Sequence, residues 1–312
     1  MSELELPIKD TLSYSRIDLF KQCAYRYKLK YIEKNYSDTT SLSLSLGTLA
    51  HKIFELKYTP NQTMTLEEIW QGFLDGFKDE NIKGWNELVD EYGFDIYDID
   101  EKTGTSVEDR VNVMKGKFFN ESIDDEWEVV GLEQEFLITF NNKAKIKGFI
   151  DRVDRNKITG EIRVIDYKTN KRLYDNKQLP SSLQFYIYAL ACKELYGQYP
   201  VECVYDLLFL NQKQYALTKG WELRCFKTLN KILDEIILYQ EIGSEHMKPN
   251  ATPLCHFCDF CKTNPNADPF YNTLCDYYSL WTREKKTFAV NKQWIPPKLE
   301  VDDEDDFDSF WD

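Results

Sequence analysis

Residues 143–168 read KAKIKGFIDRVDRNKITGEIRVIDYK, and this stretch decides the fold. Ala144, Ile146, Gly148 and Ile150 alternate with Lys145, Lys147, Phe149 and Asp151. A period of two marks a half-buried strand. Thr159-Gly160 is a turn signal, and EIRVIDYK (161–168) reads as a second strand. With the turn centred near Ile158–Thr159, directly opposed residues of a tight hairpin sum to about 317, as positions 151 and 166 do. The two carboxylates are expected on one side, with Cβ atoms roughly 4.5–5.5 Å apart. Lys168, two residues further, emerges on that side too. Two ionised carboxylates about 5 Å apart repel by roughly 3 kcal/mol at an effective dielectric near 20. A divalent cation, a shared proton or Lys168 itself would relieve that repulsion. Oxygen ligands on a rigid strand pair suit Mg²⁺ or Mn²⁺. The lysine could then orient or deprotonate water, or stabilise charge on a phosphate. The plainer alternative is an exposed face on which Lys168 only neutralises Asp166.

Working outward, WEVVGLEQEFLITF (127–140) is strand-like and Asn141-Asn142 is a turn. Residues 181–196 read as a helix ending at Gly197. VECVYDLLFL (201–210) reads as a strand, NQKQ (211–214) as a turn, and 227–242 as a long amphipathic helix. Upstream, Ser15-x-x-Asp18 reads as a capping box, followed by the stripe Ile17, Phe20, Ala24, Tyr27 and Tyr31, with Cys23 beside it. A helix is expected from about Gly47 to Tyr58, with His51 near its start. Thr65-x-x-Glu68 opens another, with Ile69, Phe73 and Phe77 inward. An acidic loop over 84–107 precedes a helix around 108–123. The sum is an α/β protein with a mixed central sheet flanked by helices.

The 312 residues are 42% hydrophobic and 15% aromatic, which excludes global disorder. No run of 18 apolar residues occurs, so no membrane partner is expected. MSELELPIKD has neither a basic nor an apolar leader region, so a cytoplasmic setting is expected. The formal net charge of −14 argues against a general nucleic-acid coat, though not against a local basic groove. Residues 300–312 hold 8 acids and no base, whereas 16–34 hold 6 bases and 2 acids. YRYKLKY (25–31) suits phosphate contact and base stacking, or equally burial of its tyrosines. No G-x-x-x-x-G-K-[ST] loop is present, so the chain encodes no ATP motor of that kind.

Eight cysteines in a reducing compartment point to metal rather than disulfides. Cys255-x-x-Cys258-x-x-Cys261 is a dense thiolate run, with Cys275 beyond it. Cys192, Cys203 and Cys225 read as buried thiols. Such a thiolate run can hold a [4Fe–4S] cluster or a Zn²⁺ ion, the latter with His256 in reach.

VIDYKTNK (164–171) resembles the last catalytic motif of RecB-type nucleases of the PD-(D/E)XK superfamily. GTLAHKIFE (47–55), GFIDRVD (148–154), Gln184-x-x-x-Tyr188 and SYSRIDLFKQCAYRYKLKYI (13–32) are similar to other motifs of that family, in the same order. The resemblance covers roughly 11–280, thinly between 60 and 125. It is nearest the cysteine-rich iron–sulfur branch, with the nuclease domain of AddB and the iron–sulfur exonucleases of CRISPR adaptation. It implies a restriction-endonuclease-like core in one domain, 1–298, with a helical N-terminal part (11–125), a catalytic core (126–218) and a helix and cysteine cluster (219–280). A metal-stapled helical cap and an acidic, disordered tail (299–312) complete the organisation. By the resemblance, His51, Asp151, Asp166 and the Tyr167 carbonyl bind the metal, and Lys168 assists the attacking water. Gln184 and Tyr188 position the substrate or the lysine, and Glu133 or Glu135 adds to the metal site. Cys23, Cys255 and Cys258 hold the cluster, with Cys261 preferred over Cys275 as fourth ligand. The chain departs here from the family pattern, one early cysteine plus C-x₂-C-x₅-C, since Cys261 comes too soon after Cys258 and Cys275 too late.

The implied activity is metal-dependent DNA hydrolysis, with an exonuclease on single-stranded ends favoured, in recombination, repair or replication. The alternatives are a structure-specific endonuclease and a non-catalytic DNA-binding or scaffold protein. The tail resembles the acidic tips of single-stranded-DNA-binding proteins. It would dock on a replication or recombination partner, occupy this protein's own groove, or merely solubilise. A prokaryotic or phage setting is suggested by analogy.

Overall fold

The computed structural model describes residues 6–35, 42–93, 95–177, 179–216, 221–250, 252–261, 264 and 267–275. The tail expected over 299–312 lies outside them. In chain order the elements are α1 (Tyr14–Gln22), α2 (Ala24–Tyr27), a π-helical turn (Lys28–Ile32), α3 (Leu42–Tyr58), α4 (Leu66–Asp75), and the short strands β1 (Gly76–Phe77) and β2 (Ile82–Lys83). There follow α5 (Trp85–Tyr92), α6 (Val107–Asn120), β3 (Trp127–Phe140), β4 (Ala144–Asn156), β5 (Ile162–Lys168), α7 (Leu183–Tyr196), β6 (Glu202–Leu207), β7 (Gln212–Ala216) and α8 (Trp221–Ile242). Contacts divide the chain into two compact units: Met1–Ser15 with Thr40–Lys231, and Arg16–Thr39 with Ile232–Asp312.

In the first unit, β3 to β7 form a five-stranded sheet in the order β3-β4-β5-β6-β7. All neighbours are antiparallel except β5 and β6, which run parallel across the α7 crossover. The sheet is therefore mixed, as the sequence leads one to expect. Ser182 caps α7 by accepting from the Phe185 N–H, and Gly197 ends it at φ 74°. Asn141 and Asn142 turn the β3–β4 hairpin with φ 43° and 49°, a conformation asparagine tolerates. Thr65 and Glu68 form the expected capping box on α4.

Four local expectations need correction. The helix carrying His51 starts at Leu42, so His51 lies well inside it. Phe77 is not on α4, because Gly76 at φ 90° ends that helix. A Cβ on nearby Gly84 would come within 2.3 Å of the Gly76 nitrogen, so this close approach requires glycine. The acidic stretch 84–107 contains α5, which buries Trp85 and Leu88. In NQKQ only Asn211 turns, at φ 49°, and Gln212 already begins β7.

One feature of the β3–β4 ribbon positions the site. In its outer half, even-numbered residues face α7: Phe136 packs on Tyr188, and Phe140 on Tyr186. In its inner half, even-numbered Leu132 packs into the core around α3, and the Arg152 guanidinium lies 4.0 Å over the Tyr58 ring of α3. The ribbon thus turns over between Phe136 and Leu132. At that crossing Glu133 has φ 41°, a left-handed conformation costing of order 1–3 kcal/mol for a non-glycine residue. The turnover also corrects the simple alternation: Asp151 need not share a face with Lys145, Lys147 and Phe149.

In the second unit, Cys23 interrupts the expected continuous stripe. Its backbone is extended (φ −161°, ψ 106°), and its thiol caps α2 by accepting from the Arg26 N–H. Helix α1 starts at Tyr14, so Ser15 stands within the first turn rather than at a cap. The basic aromatic segment is used for packing. Tyr27 and Leu29 are buried, Tyr25 packs against the cysteines, and the Arg16 guanidinium lies 4.5 Å over the Tyr31 ring. No helix among the described residues is long and apolar enough to cross a membrane.

Candidate active site

Pairs Arg152↔Ile165 to Arg155↔Ile162 keep one constant sum, 317, and continuing that register sets Asp151 opposite Asp166. Asp151 and Asp166 are both buried. The backbone N–H of Tyr167 donates to Asp151 Oδ2 at 2.7 Å. From α3, His51 Nδ1 stands 3.5 Å from Asp151 Oδ2 and 3.9 Å from Glu133 Oε1. One ligand atom each from His51, Glu133 and Asp151 lie within 4.8 Å of one another. Of the two glutamates left open by the sequence, Glu133 joins this group and Glu135 is exposed.

From α7, Gln184 Nε2 donates to Asp166 Oδ1 at 2.9 Å and to Tyr188 OH at 3.0 Å. Tyr188 OH lies 3.4 Å from the same Asp166 oxygen. Both residues therefore hold Asp166 rather than reach past it. Lys168 Nζ stands 2.5 Å from the buried Asp166 Oδ2, a close ion pair. The Lys168 ammonium also lies 5.6 Å over the Tyr205 ring. That ring is packed between Tyr174 and Phe185 and is bonded through its hydroxyl to Ser182. Sequence reasoning misses Tyr205, because nothing local to β6 marks an aromatic as a neighbour of β5.

The electrostatics are those of crowded negative charge. Burial, then the Asp166 charge beside it, lift Asp151 to about 7. Burial alone would lower the His51 imidazole, but Asp151, Glu133 and Asp166 overcome it and raise it to about 9. Burial likewise opposes the Lys168 ammonium, yet Asp166 and Asp151 raise it above its usual value. Protons thus gather where the protein lacks a countercharge. Carboxylate and imidazole donors converging within 4.8 Å of one another fit a hard divalent cation. Beside them lies a groove of about 540 Å³ lined by Ser43, Thr48, Lys52, Glu80 and Thr169, among others.

Asp154, in the same GFIDRVD segment, does a different task. It is fully buried and accepts from Arg152 Nε and Nη2 at 2.6 and 2.7 Å and from Arg163 Nε at 2.9 Å. This clamp fixes the inner end of β4. A second aspartate three residues after the first gives no sequence signal of its role.

In the second unit, Cys23, Cys255, Cys258, Cys261 and Cys275 line one pocket. Successive three-residue turns, Cys255 N–H to Thr252, Cys258 N–H to Cys255 and Cys261 N–H to Cys258, bring residues spaced by three into one column. Cys261 and Cys275 are bridge partners, with the Cys275 N–H donating to the Phe260 carbonyl. Cys23 Sγ accepts the N–H groups of Arg26 and Asn250. His256 is exposed and does not line this pocket. Burial pushes the Cys258 thiol up to about 11 and also raises Cys255. Cys192, Cys203 and Cys225 are buried elsewhere.

Among known proteins, the chain is 24% identical over 180 residues to a subunit of the ATP-dependent helicase/deoxyribonuclease of Streptococcus agalactiae serotype Ia, covering 57% of this chain and 15% of that one. It is 24% identical over 186 residues to the corresponding subunit from Streptococcus uberis, covering 55% and 16%. It spans less than a fifth of the length of these relatives. The crystal structure of SSO0001 matches loosely, at 15% identity and a TM-score of 0.32, covering 81% of this chain and 85% of that one. The sequence model of the PD-(D/E)XK nuclease superfamily matches residues 11–263, a span that holds the acidic pair, the lysine and the histidine described above, and the chain belongs to that superfamily.

Proposed function

We propose that the chain is a Mg²⁺- or Mn²⁺-dependent deoxyribonuclease, acting as an exonuclease on single-stranded DNA ends in recombination, repair or replication. The observation that carries this reading is the convergence of His51, Glu133 and Asp151 next to Asp166 and Lys168 at the turnover of the β3–β4 ribbon. His51, Asp151, Asp166 and the Tyr167 carbonyl would hold the cation, with Glu133 as an added donor. A bound cation would supply acidity to a water and countercharge to the phosphate. Asp166 is held for this by Gln184 and Tyr188. Lys168 remains cationic at neutral pH, so it orients the water and stabilises developing negative charge rather than serving as the base. Relatives described as deoxyribonuclease subunits support the choice of DNA. We assign one nuclease domain over 1–298 and a prokaryotic or phage-infected cytoplasm as its setting. The acidic tail serves as a docking segment for a replication or recombination protein.

The cysteine pocket is assigned a [4Fe–4S] cluster on Cys23, Cys255, Cys258 and Cys261, with Cys275 as the alternative fourth ligand. A single Zn²⁺ at about 2.3 Å from each sulfur needs thiolates about 3.8 Å apart. Among the described residues, no three of these sulfurs lie within 4.8 Å of one another. A cluster suits wider spacing, because each thiolate binds a different iron.

End-labelled and circular single-stranded DNA test the reading, with Mg²⁺, Mn²⁺ or EDTA. Wild type should degrade linear DNA only with metal, and Asp166→Ala and Lys168→Ala should lose that activity. Equal cleavage by the variants refutes the site, and cleavage of circles makes the enzyme an endonuclease. Anaerobic purification should give brown protein with about four irons per chain. Colourless protein with stoichiometric zinc removes the cluster.

A further inference from the structure

The outer half of the β3–β4 ribbon has one covered face and one open face. Phe136, Ile138 and Phe140 of β3 and Ala144 and Ile146 of β4 are buried on the α7 side. The opposite face carries three cross-strand pairs: Thr139↔Lys145, Leu137↔Lys147 and Glu135↔Phe149. Leu137 is 58% and Phe149 53% accessible, and Glu135, Thr139, Lys145 and Lys147 are exposed. Neither the Lys145 nor the Lys147 ammonium makes a hydrogen bond or ion pair among the described residues. By contrast, Lys143, at the ribbon's tip, is tied to Asn230. Two unpartnered cations and two exposed apolar side chains on one strand face are unusual in a chain of net charge −14. Glu135 is the only acid among the six.

Position gives this face a use. Lys145, Lys147 and Phe149 recur every second residue, about 6.8 Å apart along the strand, a repeat close to that of phosphates in an extended single strand. Phe149 precedes Asp151 by two residues, so the row ends where the acidic cluster begins. Unpaired bases stack on exposed aromatic rings, whereas bases in duplex are hidden from a flat face.

Resting on the nuclease reading above, we propose that this open ribbon face is the track for the single strand entering the site. Phe149 carries an unpaired base beside the scissile bond, and Leu137, directly opposite Lys147, packs on the next base out. Lys147 and Lys145 take the phosphates further out. The face thereby selects single-stranded over duplex DNA.

The test is binding by the full chain of a short fluorescein-labelled oligothymidylate in EDTA, where nothing is cut, followed by anisotropy across a salt series. Lys145→Ala/Lys147→Ala should lower the slope of log affinity against log salt by about 1.4, the share of two phosphate contacts on a single strand. Phe149→Ala should weaken binding about fivefold or more and leave the slope unchanged. Both variants should melt like wild type, since these side chains are exposed. Oligonucleotide binding by the variants equal to wild type, with wild-type cleavage retained, overturns the track and leaves the nuclease reading standing. Wild type that neither binds nor cuts single strands removes the nuclease reading, and the track with it. Unchanged DNA binding with a variant-dependent change in sedimentation assigns the face to a second copy of the chain and also overturns the track.

Discussion

Removing the Asp154 carboxylate should be among the most damaging single changes near the site, although Asp154 touches no metal donor. It is fully buried and receives both a bidentate Arg152 and Arg163. Asp154→Ala leaves two guanidinium groups behind. The Arg163 side chain is 20% exposed and can recover water. Arg152 is buried, held over the Tyr58 ring with Nη1 on Tyr167 OH, and cannot. The loss therefore approaches that of breaking a buried pair, about 3–5 kcal/mol. At about 2–4 °C per kcal/mol for a chain of this size, the melting temperature should fall by roughly 6 °C or more. Replacing Arg152 as well, in Asp154→Ala/Arg152→Met, removes the stranded cation and should restore part of the loss. Urea denaturation at constant slope gives each value, and the cycle gives the coupling between the two residues. A loss below about 1 kcal/mol, or a double variant no more stable than Asp154→Ala, would refute the buried clamp.

Other outcomes follow from the same structure. Gln184→Leu removes a charged hydrogen bond to Asp166, worth about 1.5–3 kcal/mol, and should cut kcat/KM about ten- to a hundredfold, and an unchanged kcat/KM contradicts its hold on Asp166. Glu133→Gln should weaken Mn²⁺ binding measured by calorimetry by about 10–100-fold, on the scale of groups that support a metal site, and unchanged affinity excludes Glu133 from it. Lys57 donates to the carbonyls of Phe118 and Glu121, and burial lowers its ammonium to about 8 from 10.5. Between those values the unfolded chain binds the extra proton, so raising the pH favours the fold. Wild type should therefore gain stability relative to Lys57→Met from pH 8 to 10.5, and a relative loss over that window contradicts the assignment.

How much of this can be read from the sequence depends on how local each cause is. The Asp151–Asp166 register follows from counting across one turn, because the loop from Asn156 to Glu161 closes tightly, with the Asn156 N–H on the Glu161 carbonyl. The capping box at Thr65 and the glycine stop at Gly197 are equally local. Helix α5 is obscured because acids crowd the stretch around Trp85 and Leu88, which alone are fully buried. Strand β7 is obscured because an edge strand facing water carries polar residues on both sides. The break at Cys23 combines a local cap, the Arg26 N–H on its sulfur, with the N–H of Asn250 far along the chain. The turnover at Glu133 arises from the packing of α3 and α7 on opposite faces of one ribbon, which alternation alone does not encode.

Crystals soaked in Mn²⁺ and measured at the manganese absorption edge would test the central claim most directly. One strong anomalous peak is expected about 2.0–2.2 Å from carboxylate oxygens of Asp151 and Asp166, with His51 on the same ion. A peak elsewhere, or none at this position at saturating Mn²⁺, would contradict the assignment.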